Sequence, residues 1–91
     1  MAGIAAVIAK IMLSGPDADL EEVKEEATEI LEAEGAMNIS YEVEELAFGL
    51  KALMVKMAWP EEKETDLIVE RLKTIEDISE VDIVDYRRAF G

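Results

Sequence analysis

The run GIAAVIAKIML, residues 3–13, limits what this chain can fold into more than any other feature. It is apolar on both parities of a strand, and only Lys10 interrupts it, so neither face can be turned to water along its length. A continuous Ile/Val/Ala run that ends in turn residues reads as a strand buried inside a sheet. At eleven residues it is shorter than the roughly 20 that cross a bilayer as a helix. It also lacks the basic leader of a secretory signal, and its removal would delete a strand, so it is expected to remain part of the fold.

Beyond Leu13 the period switches. SGPDAD breaks the run at Gly15, Pro16 and Asp17. Asp19 is placed as a helix N-cap, with Glu22 completing a capping-box pattern. Leu20, Val23, Ala27, Ile30 and Leu31 then fall on one stripe at helical spacing, and Gly35 sits where a C-terminal cap belongs. The opposite stripe carries Glu21, Glu25, Glu29 and Glu32, with Glu22 and Glu26 beside it and Lys24 as the nearby cation. Like charges at i,i+4 cost about 0.2–0.5 kcal/mol each, so this helix must be held by its buried face. The acidic stripe reads as a solvated outer face, or as a surface that attracts a cationic protein.

Residues 37–46, MNISYEVEEL, alternate Met37, Ile39, Tyr41 and Val43 against Asn38, Ser40, Glu42 and Glu44, which is a strand with one wet face. ELAFGLKAL, residues 45–53, then places glycine inside a strand-like run, the mark of a bulge, a bend or a close backbone approach. Periodicity favours a core position for Phe48. Residues 50–59 form a third strand with Leu53, Val55 and Met57 on one face, and Pro60 ends it. Thr65 is expected to cap a second helix whose Ile68, Leu72 and Ile75 share a face, flanked by Leu67. In EVDIVDYRRAF, residues 80–90, Val81 and Ile83 alternate as in a fourth strand, and the phase breaks at Val84, predicting a bulge or the strand's end.

The order β-α-β-β-α-β predicts an α+β fold of the ferredoxin-like, split β-α-β type, a single domain over residues 1–91. Its four-stranded antiparallel sheet takes the order 4-1-3-2, with two helices on one face and the two most apolar strands as central neighbours. On these phases Ile8, Met12 and Met54 point away from the helices beside Lys10 and Lys56. A sheet face this apolar meets a partner or a second copy, or lies shielded under lysine stems. A monomer is expected, with weak self-association through this face as the alternative.

Composition narrows function mainly by exclusion. With no cysteine and no histidine, disulfides, thiolate nucleophiles, the usual zinc sites and imidazole catalysis are out. Asp17-x-Asp19 begins like a calcium loop, but the required glycine and glutamate positions hold Glu22 and Thr28. No serine sits in a nucleophile elbow, no glycine-rich phosphate cradle follows a strand, and no carboxylate pair is marked out. Hence no catalytic residue, metal or cofactor is expected. The net charge of −13 opposes direct nucleic-acid and anionic-membrane binding and favours a basic protein partner. A charged coat suited to a salty cytoplasm is the plainer explanation. RNA-recognition domains of the same topology stack bases on aromatics of strands one and three, yet here strand one has none and strand three has only Trp59 at its end.

Two features remain as contact candidates. One is Phe48-Gly49-Leu50-Lys51 at the entry to the third strand. The other is Arg87-Arg88, followed by Ala89-Phe90-Gly91. A terminal arginine pair on an acidic domain is either a solvated tail or a tip aimed at carboxylate or phosphate groups.

LAFGLKAL (46–53), PDADLEEVKEE (16–26) and VDYRR (84–88) together resemble the archaeal translation elongation factor 1-beta family. The likeness spans essentially the whole chain. It implies a cytoplasmic, ferredoxin-like guanine nucleotide exchange factor for the elongation factor 1-alpha GTPase, one that promotes GDP release and GTP rebinding without covalent chemistry. It also implies a contact role for Phe48, with Gly49 and Lys51, reversing the preference from periodicity. In the eukaryotic relatives a basic residue near the carboxyl end reaches towards the GTPase's magnesium site. By that likeness the role falls to Arg88 or Arg87, with Phe90 where the eukaryotic pattern has its penultimate lysine. Glu45 likewise replaces the family's proline. The competing reading is a regulatory module that dimerises through the open sheet face and binds a small metabolite.

Overall fold

Asp19 opens the first helix as its spacing predicts. In the computed structural model, which describes residues 3–88, its carboxylate accepts the backbone N–H of Glu21 at 3.1 Å and of Glu22 at 3.3 Å. The helix α1 (Leu20–Ala33) follows β1 (Ile4–Leu13) and leads to β2 (Met37–Glu45). A short turn (Ala47–Gly49) then precedes β3 (Lys51–Pro60), α2 (Asp66–Leu72) and β4 (Ile78–Arg88). The sheet order is β2-β3-β1-β4 with every pair antiparallel, the expected 4-1-3-2 order read from the other edge.

The central position of β1 follows from its two apolar parities. Ala5, Val7, Ala9 and Ile11 are fully buried against the helices, as are Leu53, Val55 and Trp59 of β3. Val23, Ala27 and Leu31 of α1 and Ile68 and Leu72 of α2 close the layer. With six exposed glutamates on the outer side of α1 and no basic residue in its last turn, this buried stripe is what holds the helix. The missing cation arrives from elsewhere: Lys63, in the loop after β3, donates to the Glu34 carbonyl at 2.6 Å. It therefore sits at the negative end of the helix dipole. Gly35, at φ 99°, ends α1 as predicted, its N–H donating to the Glu32 carbonyl and that of Ala36 to the Leu31 carbonyl, a Schellman closure.

Five local expectations change. The alternation of β2 buries only part of its apolar face: Ile39 and Tyr41 pack against the core, whereas Met37 and Val43 are exposed. Register slips between Met37 and Ser40, where Asn38 adopts φ 53°, and beyond Tyr41 every residue of β2 is exposed. Thr65 precedes α2 but is itself helical, with no side-chain bond to the helix, so it does not cap it. Helix α2 stops at Leu72; Ile75 lies in the following turn and still reaches the core. Finally β4 starts at Ile78, and the capping box is one-sided, with Asp19 accepting and no return bond from Glu22.

The phase break at Val84 is a bulge within β4. Ile8 faces Asp85 while Ala9 faces Ile83, which leaves Val84 without a partner on β1. A second slip omits Ser79, whose hydroxyl instead donates to the Met12 carbonyl at 3.2 Å.

Candidate functional site

Strand register divides the five candidate residues that fall within the described chain between two distant places. At one end of the sheet, Leu46 N–H donates to the Leu50 carbonyl at 2.8 Å and Leu50 N–H to the Ala47 carbonyl at 3.3 Å. Inside this closure Phe48 has φ 63° and Gly49 φ 75°. Two consecutive positive φ values are the type I′ pattern that matches the twist of a hairpin. Gly49 adopts it without cost, whereas for a phenylalanine the left-handed region is unfavourable. The turn holds the Phe48 ring 96% exposed. The core reading from periodicity is thereby overturned: residues 47–49, between the two strands, form a hairpin tip, and alternation does not continue through them. Lys51, paired with Glu45, opens β3 on the face of Leu53.

At the other end, Arg88 lies opposite Ala5 and Arg87 opposite Ala6. Ala5 is a core residue, so Arg88 is on the helix side of the sheet and Arg87 on the open side. Arg87 approaches Asp85 with Nε at 3.2 Å from the carboxylate, a pair within one strand face. Arg88 reaches across the end of the sheet to Glu61, Nε to Oε2 at 3.3 Å. No sequence signal pairs Arg88 with Glu61, because only the antiparallel order brings the ends of β3 and β4 together beside β1. Phe90 lies outside the described residues.

Ala5 pairs with Trp59, and eight residue steps separate Trp59 from Lys51 on β3. At roughly 3.3 Å per step the two candidate groups stand about 25–30 Å apart. The protein's principal extents are 44 × 21 × 19 Å, so they occupy opposite ends of its long axis.

Between them, the open face carries Ile8, Met12 and Met54 half-buried, as expected, with Lys10 paired to Glu44 at 3.2 Å. A depression of about 270 Å³ over this face is lined by Ile8, Met54, Ser40, Glu42, Glu44 and Lys56. On the helix side, a groove between α1 and the turn after α2 is lined by Glu22, Glu26, Glu29, Glu76 and Asp77 over Ile30 and Ile75. Among the described residues these carboxylates form no group that could hold a metal ion.

Two titratable groups are perturbed, and both serve the scaffold. The side-chain hydrogen bond from Lys63 holds Glu34 below the ordinary carboxylate range, assisted by Arg71 at 3.2 Å. Burial raises Tyr41, whose hydroxyl lies 2.7 Å from the Thr28 hydroxyl and donates to the Lys24 carbonyl at 3.2 Å. That arrangement ties β2 to α1.

Comparison with known proteins matches residues 6–89 to the EF-1 guanine nucleotide exchange domain. The chain is 38% identical to the elongation factor 1-beta of Metallosphaera sedula over 84 residues, covering 90% of this chain and 91% of the relative. It is 37% identical to that of Methanothermobacter thermautotrophicus over 89 residues, covering 97% and 98%. With the Nanoarchaeum equitans protein it shares 33% identity over 81 residues, 88% of this chain and 99% of the relative. A β-α-β-β-α-β sandwich with this exposed hairpin tip, matched along nearly its whole length, belongs to the EF-1 guanine nucleotide exchange domain family.

Proposed function

We propose that this chain, as a guanine nucleotide exchange factor of the EF-1 family, promotes GDP release and GTP rebinding on elongation factor 1-alpha during polypeptide elongation, and that it grips the GTPase with both ends of its sheet. Phe48, with Gly49 and Lys51, docks as an aromatic knob at one end. At the other, Arg88 or Arg87 presents positive charge near the bound nucleotide's magnesium, where a second cation competes for the phosphates.

The observation that carries this reading is Phe48, 96% exposed and at φ 63°. Exposure forgoes the burial of a large ring, and the left-handed backbone adds strain. Two costs at one residue that no contact within the described chain offsets are what a binding position displays. The separation of the two ends suits a partner touched at two points.

The proposed action needs no covalent step. A factor that binds the nucleotide-free GTPase more tightly than the GDP-bound form shifts that equilibrium by the difference in affinity. By linkage, GDP then weakens factor binding by the same ratio. The chain works in the cytoplasm as one domain and a monomer. It meets no nucleic acid directly; its charge of −13 suits a GTPase whose own surface must accept tRNA. Among the described residues no helix is long and apolar enough to cross a membrane. Family membership does not favour the metabolite-binding dimer.

The test is release of a fluorescent GDP analogue from archaeal elongation factor 1-alpha, with increasing amounts of this protein. Acceleration that saturates is expected. An unchanged rate at saturating protein overturns the reading.

A further inference from the structure

We propose that Glu61 is a positioning residue for Arg88, and that the bare backbone of Gly3 makes room for it to act. The inference rests on the exchange-factor reading and on Arg88 as one of its acting groups.

Three chain segments meet at this end of the sheet. Glu61 directly follows β3, and its N–H donates to the Gly3 carbonyl at 3.0 Å, which anchors its backbone beside the start of β1. Its carboxylate lies over Gly3: a Cβ built there would overlap Oε1 and come within 3.0 Å of Cδ. The slot that holds this carboxylate exists because position 3 has no side chain. From the slot, Oε2 lies 3.3 Å from Arg88 Nε. The Glu61 side chain is 22% exposed and the Arg88 side chain 79%, so the anion is mostly enclosed by the protein and the cation projects from it.

The geometry favours presentation over masking. The approach to Arg88 is at Nε, and the terminal amino groups of its guanidinium have no hydrogen-bond partner among the described residues. Those groups are the ones that take a carboxylate or phosphate oxygen. An arginine whose Nε lies in an ion pair with a partly buried carboxylate loses less rotamer freedom on docking than one that is loose in solvent. Arg87 differs, since its half-buried partner Asp85 lies two residues away on the same strand and not on a neighbouring segment.

Glu61→Gln keeps the shape and removes the charge. Gly3→Ala keeps the charge and evicts the carboxylate, a tolerable change because the displaced group is the end of a flexible side chain. Both are expected to lower the maximal GDP-release rate by about two- to tenfold, the loss for one unordered side chain. In an Arg88→Ala background both are expected to be silent. Thermal midpoints measured alongside are expected to stay within about 2 °C of the parent, whereas a strand-end staple would shift them together with the rates. If either substitution still slows release without Arg88, if neither slows it with Arg88, or if Glu61→Gln speeds it, positioning by Glu61 is overturned while the exchange reading stands. If Arg88→Ala alone leaves release unchanged, the choice of Arg88 falls, and Glu61 with it. Failure of the unmodified protein to accelerate release is instead the failure of the exchange-factor reading.

Discussion

Phe48 and Arg88 belong to one sheet and stand at its opposite ends, Phe48 on the β2–β3 turn beside Lys51 and Arg88 opposite Ala5, which pairs with Trp59. They cannot form one compact pocket. Any partner that uses both must lie along the sheet's length, so each end can be disabled separately.

Phe48→Asn puts Asn-Gly, the preferred type I′ dipeptide, into a turn that already has both positive φ angles. It is expected to stabilise the fold by about 0.5–1 kcal/mol, because asparagine tolerates the left-handed region better than phenylalanine. GTPase affinity is expected to fall about tenfold or more, as for an aromatic anchor. Chemical denaturation and a binding titration read the two effects. A variant that loses stability would return Phe48 to the core.

Gly49→Ala isolates the backbone at φ 75°, because an added Cβ meets nothing within 4 Å. The expected loss is about 1–2 kcal/mol, arising from conformation alone. Urea unfolding measures it, and an unchanged midpoint would mean that the turn relaxes to another type.

Leu31→Ala removes a fully buried side chain from the one face that holds α1. A loss of about 2–5 kcal/mol is expected. Added salt should recover part of it by screening the glutamate stripe on the outer face. Thermal melts of this variant from about 0.05 to 0.5 M salt check both, and a salt-independent melt would show that the stripe carries no appreciable repulsion.

Glu34 binds its proton less readily in the folded chain than its ordinary value of 4.5 because of the Lys63 hydrogen bond. Its contribution to stability is therefore complete above that value and is lost as pH falls through the lowered folded value. Acidification also relieves the repulsion behind a net charge of −13, so the effect must be read as a difference. The stability advantage of the parent over Glu34→Gln should shrink as pH drops from about 6 towards 3. A constant advantage over that range would contradict the Lys63 linkage.

The element order, the helix stop at Gly35, the central placement of β1 and the surface acidity are all legible in the chain. Each follows from local physics: period, cap chemistry, or a run with no polar side. The type and sign of the candidate contact residues were also legible, an aromatic beside glycine and an arginine pair. Thr65 and Ile75 mark the limit, because seven residues make too short a helix for a stripe to fix its ends. Met37 and Val43 do so as well, since alternation names a face but not how far the helices cover it.

What only the tertiary structure decided is where the candidate residues stand. Periodicity favoured Phe48 as core and the family resemblance favoured it as a contact; closure between Leu46 and Leu50 makes it an exposed hairpin tip. In β4 the bulge at Val84 reverses the alternation, so that Arg88 falls on the helix side and Arg87 on the open side; without that residue's slip they would exchange faces. Sequence places two arginines side by side, and it takes the packing of β1 between β3 and β4 to give one of them Glu61 as a partner. Local patterns specify elements because their causes lie within a few residues, whereas the choice of face and partner depends on which distant strands share the sheet.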